Sequence, residues 1–283
     1  MTEIDWSRLT AEALRSLAAR DAVVLLPVAS TEQHGPHLPT GVDDILVTAV
    51  CRRTARLLAQ DMPAVVAPTV WCGLADHHVA FGGTFSLSLA TYHALLRDLC
   101  RSILRAGFGR IVLVNGHAGN IAGLAAISAE LTRELEAPSA TATYFMVAAE
   151  AVASLLEDQG GLMHACEAET SMMMTAAPDL VDTSQLPDAH GPAFDIAASL
   201  VPTLKRSVAF NRLTASGVAG DARRASAAKG EALLAACASA LATRLQAGEP
   251  WNGMVSVEGS STLRDTPGID LYEGRADDRS QHP

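Results

Sequence analysis

The chain has 283 residues, 49 % of them hydrophobic, 18 % charged and only 4 % aromatic, with a formal net charge of −10. That length and apolar fraction allow one large domain with an aliphatic core of Ala, Leu and Val. The negative charge argues against partners that present phosphates, so nucleic acid and anionic membrane surfaces are excluded as expected ligands.

The opening MTEIDWSRLT has no apolar h-region, and no apolar run reaches the roughly 20 residues that cross a bilayer. A cytoplasmic protein that spans no membrane is the expectation. Residues 22–29, AVVLLPVA, form an apolar run of strand length suited to a strand buried on both faces. DILVTAVCRRTARLLA (44–59) follows a helical pattern, and AVVAPTV (64–70) reads as a short strand. A loop carrying His77, His78 and FGGT (81–84) comes next; adjacent residues in an extended segment face opposite ways, so at most one of these histidines is expected to reach a site. TYHALLRDLCRSILRA (91–106) is an amphipathic helix closed by Gly107.

IVLVN (111–115) is the clearest buried strand, and GHAGN (116–120) turns it into a helix over 121–136. ATATYFMV (140–147) predicts a strand and 148–157 a helix. HACEAETSMMMTAA (164–177) runs from a loop into a helix that Pro178 ends. Residues 178–225 read as excursions, 228–246 as an Ala-rich helix. Strand and helix alternate, which predicts an α/β fold, a three-layer sandwich with a largely parallel sheet. The expected organisation is one catalytic domain over 1–250 and a tail over 251–283, partly loop or disordered.

Ligands of open α/β sheets sit at the carboxyl ends of the strands. Three polar clusters fall at predicted strand ends or in connections able to reach that edge: 30–44, 115–120 and 164–171. Glu32 and His34, at i and i+2 in an extended segment, project to one side. Asp43 stands at the start of a helix, and His117 arrives from another strand. Carboxylates and imidazoles around one point suit Zn²⁺, Mn²⁺ or Fe²⁺. The spacing alone leaves open an N-cap role for Asp43 or Asp44 and a structural role for each histidine. His37 reads as a neighbour of the site or the substrate. Gly116 and Gly119 flank His117 and allow close backbone approach, while Asn115 and Asn120 can fix the loop through their side chains. The five cysteines show no CxxC pair and read as buried or free thiols.

EQHGPHLP with Asp43, then NGHAGN, then HACEAETS, resembles the creatininase (creatinine amidohydrolase) family of metal-dependent hydrolases over roughly residues 20–180. The resemblance implies two divalent ions per subunit (Zn, Mn or Fe) and hydrolysis of a C–N bond in a small cyclic amide, formamide or related amide by a metal-bridging hydroxide. It also implies a homo-oligomer, a hexamer first, that acts on a small molecule. Carried over by motif, Glu32, His34, Asp43 and His117 are metal ligands, with Asp43 bridging. His164 is the proton shuttle, and Glu169 a carboxylate beside the metals with a catalytic part. His37, Asn115, Gly116, Gly119, Asn120 and Glu167 bind substrate or support the ligands.

The chain departs from creatininase itself in two places. Gly119 replaces a metal-binding glutamate, which makes Glu169 the candidate second-metal ligand. Gly160 replaces a pocket tryptophan, which makes creatinine a doubtful substrate. Cys166 stands at a glycine position, where a small buried thiol filling space is the expectation. Backbone N–H groups near Gly116–Gly119 are expected as oxyanion donors, and residues 71–86, 144–163 and 190–220 as the pocket wall. A lactone or sugar-derivative hydrolase, a non-catalytic ligand-binding protein and a thiol enzyme using Cys166 are the competing readings.

Overall fold

The two apolar runs read as buried strands pair side by side. In the computed structural model, β1 (Val23–Val28) and β3 (Arg110–Asn115) are the central strands of a parallel sheet. The structure describes residues 3–59, 61–137, 139–157, 159–194, 204 and 206–252. The predicted tail lies outside these from residue 253 onward. The chain as far as Pro250 forms one unit.

Among the described residues the sheet has the order β2-β1-β3-β4, with β2 at Ala64–Val66 and β4 at Ser139–Thr143, all parallel. All six residues of β1 are buried, as its unbroken apolar sequence requires of a strand covered on both faces. Val24, Leu26 and Val28 join Ile111 and Leu113 in one core with Tyr92, Leu96 and Ile103 of α3 (Leu89–Arg105) and Leu124, Ile127 and Leu131 of α4 (Ile121–Leu135). Leu14 and Leu17 of α1 (Ala11–Ala19) pack against the same core. Strand alternation turns Val23, Leu25, Val112 and Val114 to the other face. There α2 (Val42–Leu58) covers the sheet, and α7 (Glu167–Ala176) and α8 (Ala227–Gln246) pack on α2. This is the expected three-layer α/β sandwich.

Where the structure departs from the sequence reading, the reasons are local. Helix α1 has no counterpart in the predicted elements; its N-terminus is capped by Thr10, whose side chain accepts from the Ala13 N–H. The strand expected over 64–70 stops at Val66. Pro68 lacks an N–H, and the chain rejoins only at an isolated bridge between Val70 and Val28. The strand expected over 140–147 ends at Thr143, and Tyr144–Val147 forms a short helix, α5, followed by α6 (Ala149–Leu155). Tyr144 and Phe145 are buried in succession, a pattern that a helical turn packed on α8 satisfies and an alternating strand does not. Gly107 takes φ +95° just past α3, as predicted for its cap. No described helix is long and apolar enough to cross a membrane.

Helices α7 and α8 approach so closely at Gly230 that an added Cβ would lie 1.8 Å from the Ser171 carbonyl oxygen. The obstacle is backbone, so relief requires a helix to move. Gly230→Ala should therefore lower unfolding free energy by about 1–3 kcal/mol or more, seen as a lower urea midpoint. An unchanged midpoint would mean that the two helices slide freely.

Candidate metal centre

The chain leaves β1 toward β2 on one side and returns to β3 on the other, so β1/β3 is the switch point of the sheet, where ligands collect beyond the strand ends. Val28 and Asn115 are paired, so residues 29–44 and 116–120 depart side by side. Gly116 sits against the start of α2: an added Cβ would lie 2.8 Å from Val47 Cβ and 3.0 Å from the Asp43 oxygen. The loop behind it is braced by side chains. Asn115 accepts from the His117 N–H at 3.1 Å and donates to the His117 carbonyl at 2.8 Å; Asn120 accepts from the Leu74 N–H and donates to the Ala29 carbonyl.

This edge brings together Glu32, His34, Asp43, His117, His164 and Glu169. His34 Nε2 lies 3.3 Å from Asp43 Oδ1 and 3.9 Å from Glu169 Oε2. His117 Nδ1 lies 3.2 Å from both Glu32 Oε1 and Asp43 Oδ2. His164 Nδ1 is 3.5 Å from Glu32 Oε1. Asp43 thus turns one oxygen to His34 and the other to His117. The N-cap of α2 is Gly41, so Asp43 does not cap it.

In each of the three imidazoles the opposite nitrogen faces a backbone carbonyl. His34 Nδ1–H donates to the Glu32 oxygen at 3.0 Å, His117 Nε2–H to the Leu74 oxygen at 3.2 Å, and His164 Nε2–H to the Gln33 oxygen at 2.8 Å. These bonds fix the ring orientations, and each ring in its neutral form turns a lone pair toward the carboxylates. Glu32 is wholly buried, and both its carboxylate oxygens, like His34 Nε2 and Asp43 Oδ2, have no hydrogen-bond partner. Burial raises the Glu32 pKa and pushes Glu169 up to about 8. Burial opposes protonation of His34, yet the nearby Asp43 carboxylate carries it up to about 9. Carboxylates crowded in a dry site call for positive charge, which protons on His34 and His117 supply here and a cation could supply in their place. A set of imidazoles and carboxylates fits a divalent ion of the zinc or manganese type. The residues present fit the metals expected of them.

Other expected residues sit at the margin or elsewhere. His37 is buried, accepts from or donates to Thr170 Oγ1 through Nε2 at 2.7 Å, and is pushed down to about 4 by burial; it supports the helix turn that carries Glu169. Glu169 also accepts a short bond from the N–H of Ala165, which adopts φ +52°. Glu167 corrects the sequence reading. Two residues apart on a helix means about 200° around its axis, so Glu167 turns away from Glu169 and pairs with Lys229 of α8. The oxyanion donors also fail in part: the Gly116 N–H already donates to the Val28 carbonyl, and the His117 N–H to Asn115.

His77 and His78 were expected to diverge, yet both reach the centre. They lie on a 3₁₀ turn, Asp76–Phe81, where neighbours are about 120° apart rather than opposed. His78 Nε2 is 3.6 Å from Glu32 Oε1, and donor atoms of His77, Glu32 and His117 lie within 4.8 Å of one another. Gln33 was not singled out within the 30–44 cluster, and Phe210 was expected only as part of the 190–220 pocket wall. The Phe210 ring lies 4.3 Å from that of His78 and 5.0 Å from that of His164. No motif marks it; only the fold brings residue 210 to this edge. All five cysteines are free and buried, and burial pushes the Cys166 thiol up to about 12, which favours a neutral space-filling thiol over a nucleophile there.

The sequence model of the creatininase family, described as creatinine amidohydrolase, matches residues 7–245. The mycofactocin precursor peptide peptidase of Mycolicibacterium smegmatis is 34 % identical over 253 residues, covering 86 % of this chain and 92 % of the relative. The creatinine amidohydrolase of Pseudomonas putida is 32 % identical over 260 residues, covering 86 % and 95 %. A crystal structure of creatinine amidohydrolase superposes with TM-score 0.75 at 29 % identity, covering 88 % of this chain and 99 % of that one. Similar creatininase structures include one named for manganese and one of Zn-Zn type.

Proposed function

The chain belongs to the creatininase family, and from that premise we propose that it hydrolyses an amide C–N bond of a small molecule at a pair of divalent ions. The observation that carries the reading is the convergence of His34, His117 and His164, each tied to a carbonyl by its far nitrogen, on Glu32, Asp43 and Glu169. Glu32 and His117 would hold one ion, His34 and Glu169 the other, and Asp43 both. Bound there, such ions lower the pKa of a water from 15.7 to about 7 and polarise a carbonyl.

The protein's own part is to position and to move a proton. Water adds its oxygen to the amide carbon and gives a proton to His164 Nδ1, the nitrogen that faces the centre. Nδ1 then returns that proton to the departing nitrogen as the C–N bond breaks, so that a neutral amine leaves. Burial and the neighbouring histidines hold His164 well below its usual pKa, in the neutral form that can accept the proton. Phe210, against His78 and His164, supplies an apolar wall; an added Cβ at Gly160 would meet nothing within 4 Å.

Cyclic amides and formamides lead the substrate classes, with creatinine itself set aside on the Gly160 position. A peptide bond is the second reading, favoured by the identity to the mycofactocin precursor peptide peptidase. Assembly as a homo-oligomer, a hexamer first, belongs to the same proposal and is read by analytical ultracentrifugation. The functional test is a panel of lactams, formamides, short peptides and lactones, offered to protein stripped by chelator and reloaded with zinc or manganese. Turnover of C–N substrates only after reloading is the expected result. Cleavage confined to lactones, or no turnover with metal bound, would overturn the proposal.

A further inference from the structure

We propose that His77 is a protein ligand of the ion on the Glu32/His117 side, which makes the two metal positions chemically unequal. This rests on the two-ion reading above. Three donor trios lie within this centre, each with its donor atoms within 4.8 Å of one another: Glu32, His77 and His117; His34, Asp43 and Glu169; and Glu32, His34 and His164, whose His164 the proposal above assigns to the proton. The first two share no residue. Asp43 joins them, with Oδ2 at 3.2 Å from His117 Nδ1 and Oδ1 at 3.3 Å from His34 Nε2.

Three further observations single out His77. Its ring stacks on that of His117, with centroids 5.7 Å apart and planes 16° from parallel. Position 119 is closed to any side chain in this arrangement: an added Cβ would lie 2.3 Å from His117 Nε2 and 2.7 Å from His77 Cε1. The His77 imidazole therefore stands where a ligand from residue 119 would have to pass. Finally, the Glu32 carboxylate of this trio is wholly buried, with neither oxygen hydrogen-bonded, which leaves a buried anion for a cation to neutralise.

The adjacent His78 cannot take the same part. Gln33 Oε1 accepts from the Gly35 N–H at 3.0 Å, which fixes the amide orientation. Its NH₂ lies 3.0 Å from the Gly217 carbonyl and 2.9 Å from both His78 Nδ1 and His164 Nε2; because His164 Nε2–H donates to the Gln33 backbone carbonyl, the two amide hydrogens go to Gly217 and His78. With Nδ1 accepting, a neutral His78 carries its proton on Nε2, the atom facing Glu32. His78 presents a donor to the carboxylate, whereas a His77 nitrogen lies within 4.8 Å of the Glu32 and His117 donor atoms.

The His77 position then has two imidazoles with carboxylate oxygens, and the Glu169 position one imidazole with two carboxylates. Imidazole-rich sites favour zinc, and oxygen-rich sites accept manganese. In the metal-free wild-type protein, titrated calorimetrically with zinc, two sites of different affinity are expected. His77→Ala should keep one at its wild-type affinity and weaken the other by about 10–100-fold or more. His77→Ala binding two zinc ions with both affinities unchanged would overturn the assignment while leaving the two-ion reading intact; a wild-type protein that binds no zinc would overturn both. Where the variant fails to fold, a zinc-soaked wild-type crystal decides. Anomalous density bonded to a His77 nitrogen supports the assignment, and density on Glu32 and His117 without His77 refutes it.

Discussion

Asp43→Ala should purify with at most one metal ion per chain and with activity reduced on the order of 10³-fold or more. The magnitude follows from the several kcal/mol of charge stabilisation that a bound ion supplies, at 1.36 kcal/mol per tenfold. The geometry makes the effect specific to this residue. Asp43 is buried, and its two oxygens face two different imidazoles, so a single truncation removes a donor from both positions at once. The fold should survive. Asp43 does not cap α2, and in the metal-free chain the loss of its pairing with His34 and His117 is offset by relief of repulsion with the buried Glu32 and Glu169 carboxylates. Elemental analysis, circular dichroism and the panel assay read the three quantities together. A folded variant with full metal and full activity would show that Asp43 bridges nothing.

His164→Ala should do the opposite: keep its metal and lose turnover by about 10²–10⁴-fold, the usual contribution of general acid–base help. The case has an internal rival, because donor atoms of His164 also lie within 4.8 Å of those of Glu32 and His34. A ligand role predicts lost metal, and a proton-carrying role predicts retained metal with a slowed release of the amine. Substrates with better leaving groups need less of that proton, so the variant should recover most of its rate on an activated anilide. Equal loss on both substrate types, with metal gone, would assign His164 to the metal instead of the proton.

Much of the fold was legible because its signals are local. Val23–Val28 and residues 111–114 are apolar without interruption, and α3 carries an amphipathic pattern with a glycine at its end. The failures came where tertiary packing overrides local pattern. Tyr144–Val147 has the composition of a strand, but consecutive burial against α8 makes it helical. The site was legible as a set of residue types gathered at strand ends, since Glu32, His34, Asp43, His117 and Glu169 fall in the three polar clusters. What fixes them was not. The carbonyls of Leu74 and Gln33 that orient His117 and His164 carry no sequence signature. The pairing of Glu167 with Lys229 depends on how α7 faces α8, and the joint arrival of His77 and His78 on a 3₁₀ turn that resembled a loop.

The most direct test of the two-ion centre is anomalous diffraction at the zinc and manganese edges from crystals of metal-loaded protein. The account predicts two peaks, one on either side of Asp43, the first bonded to Glu32 and His117 and the second to His34 and Glu169. Saturating metal with a single peak, or with none while these side chains keep their present arrangement, would contradict it.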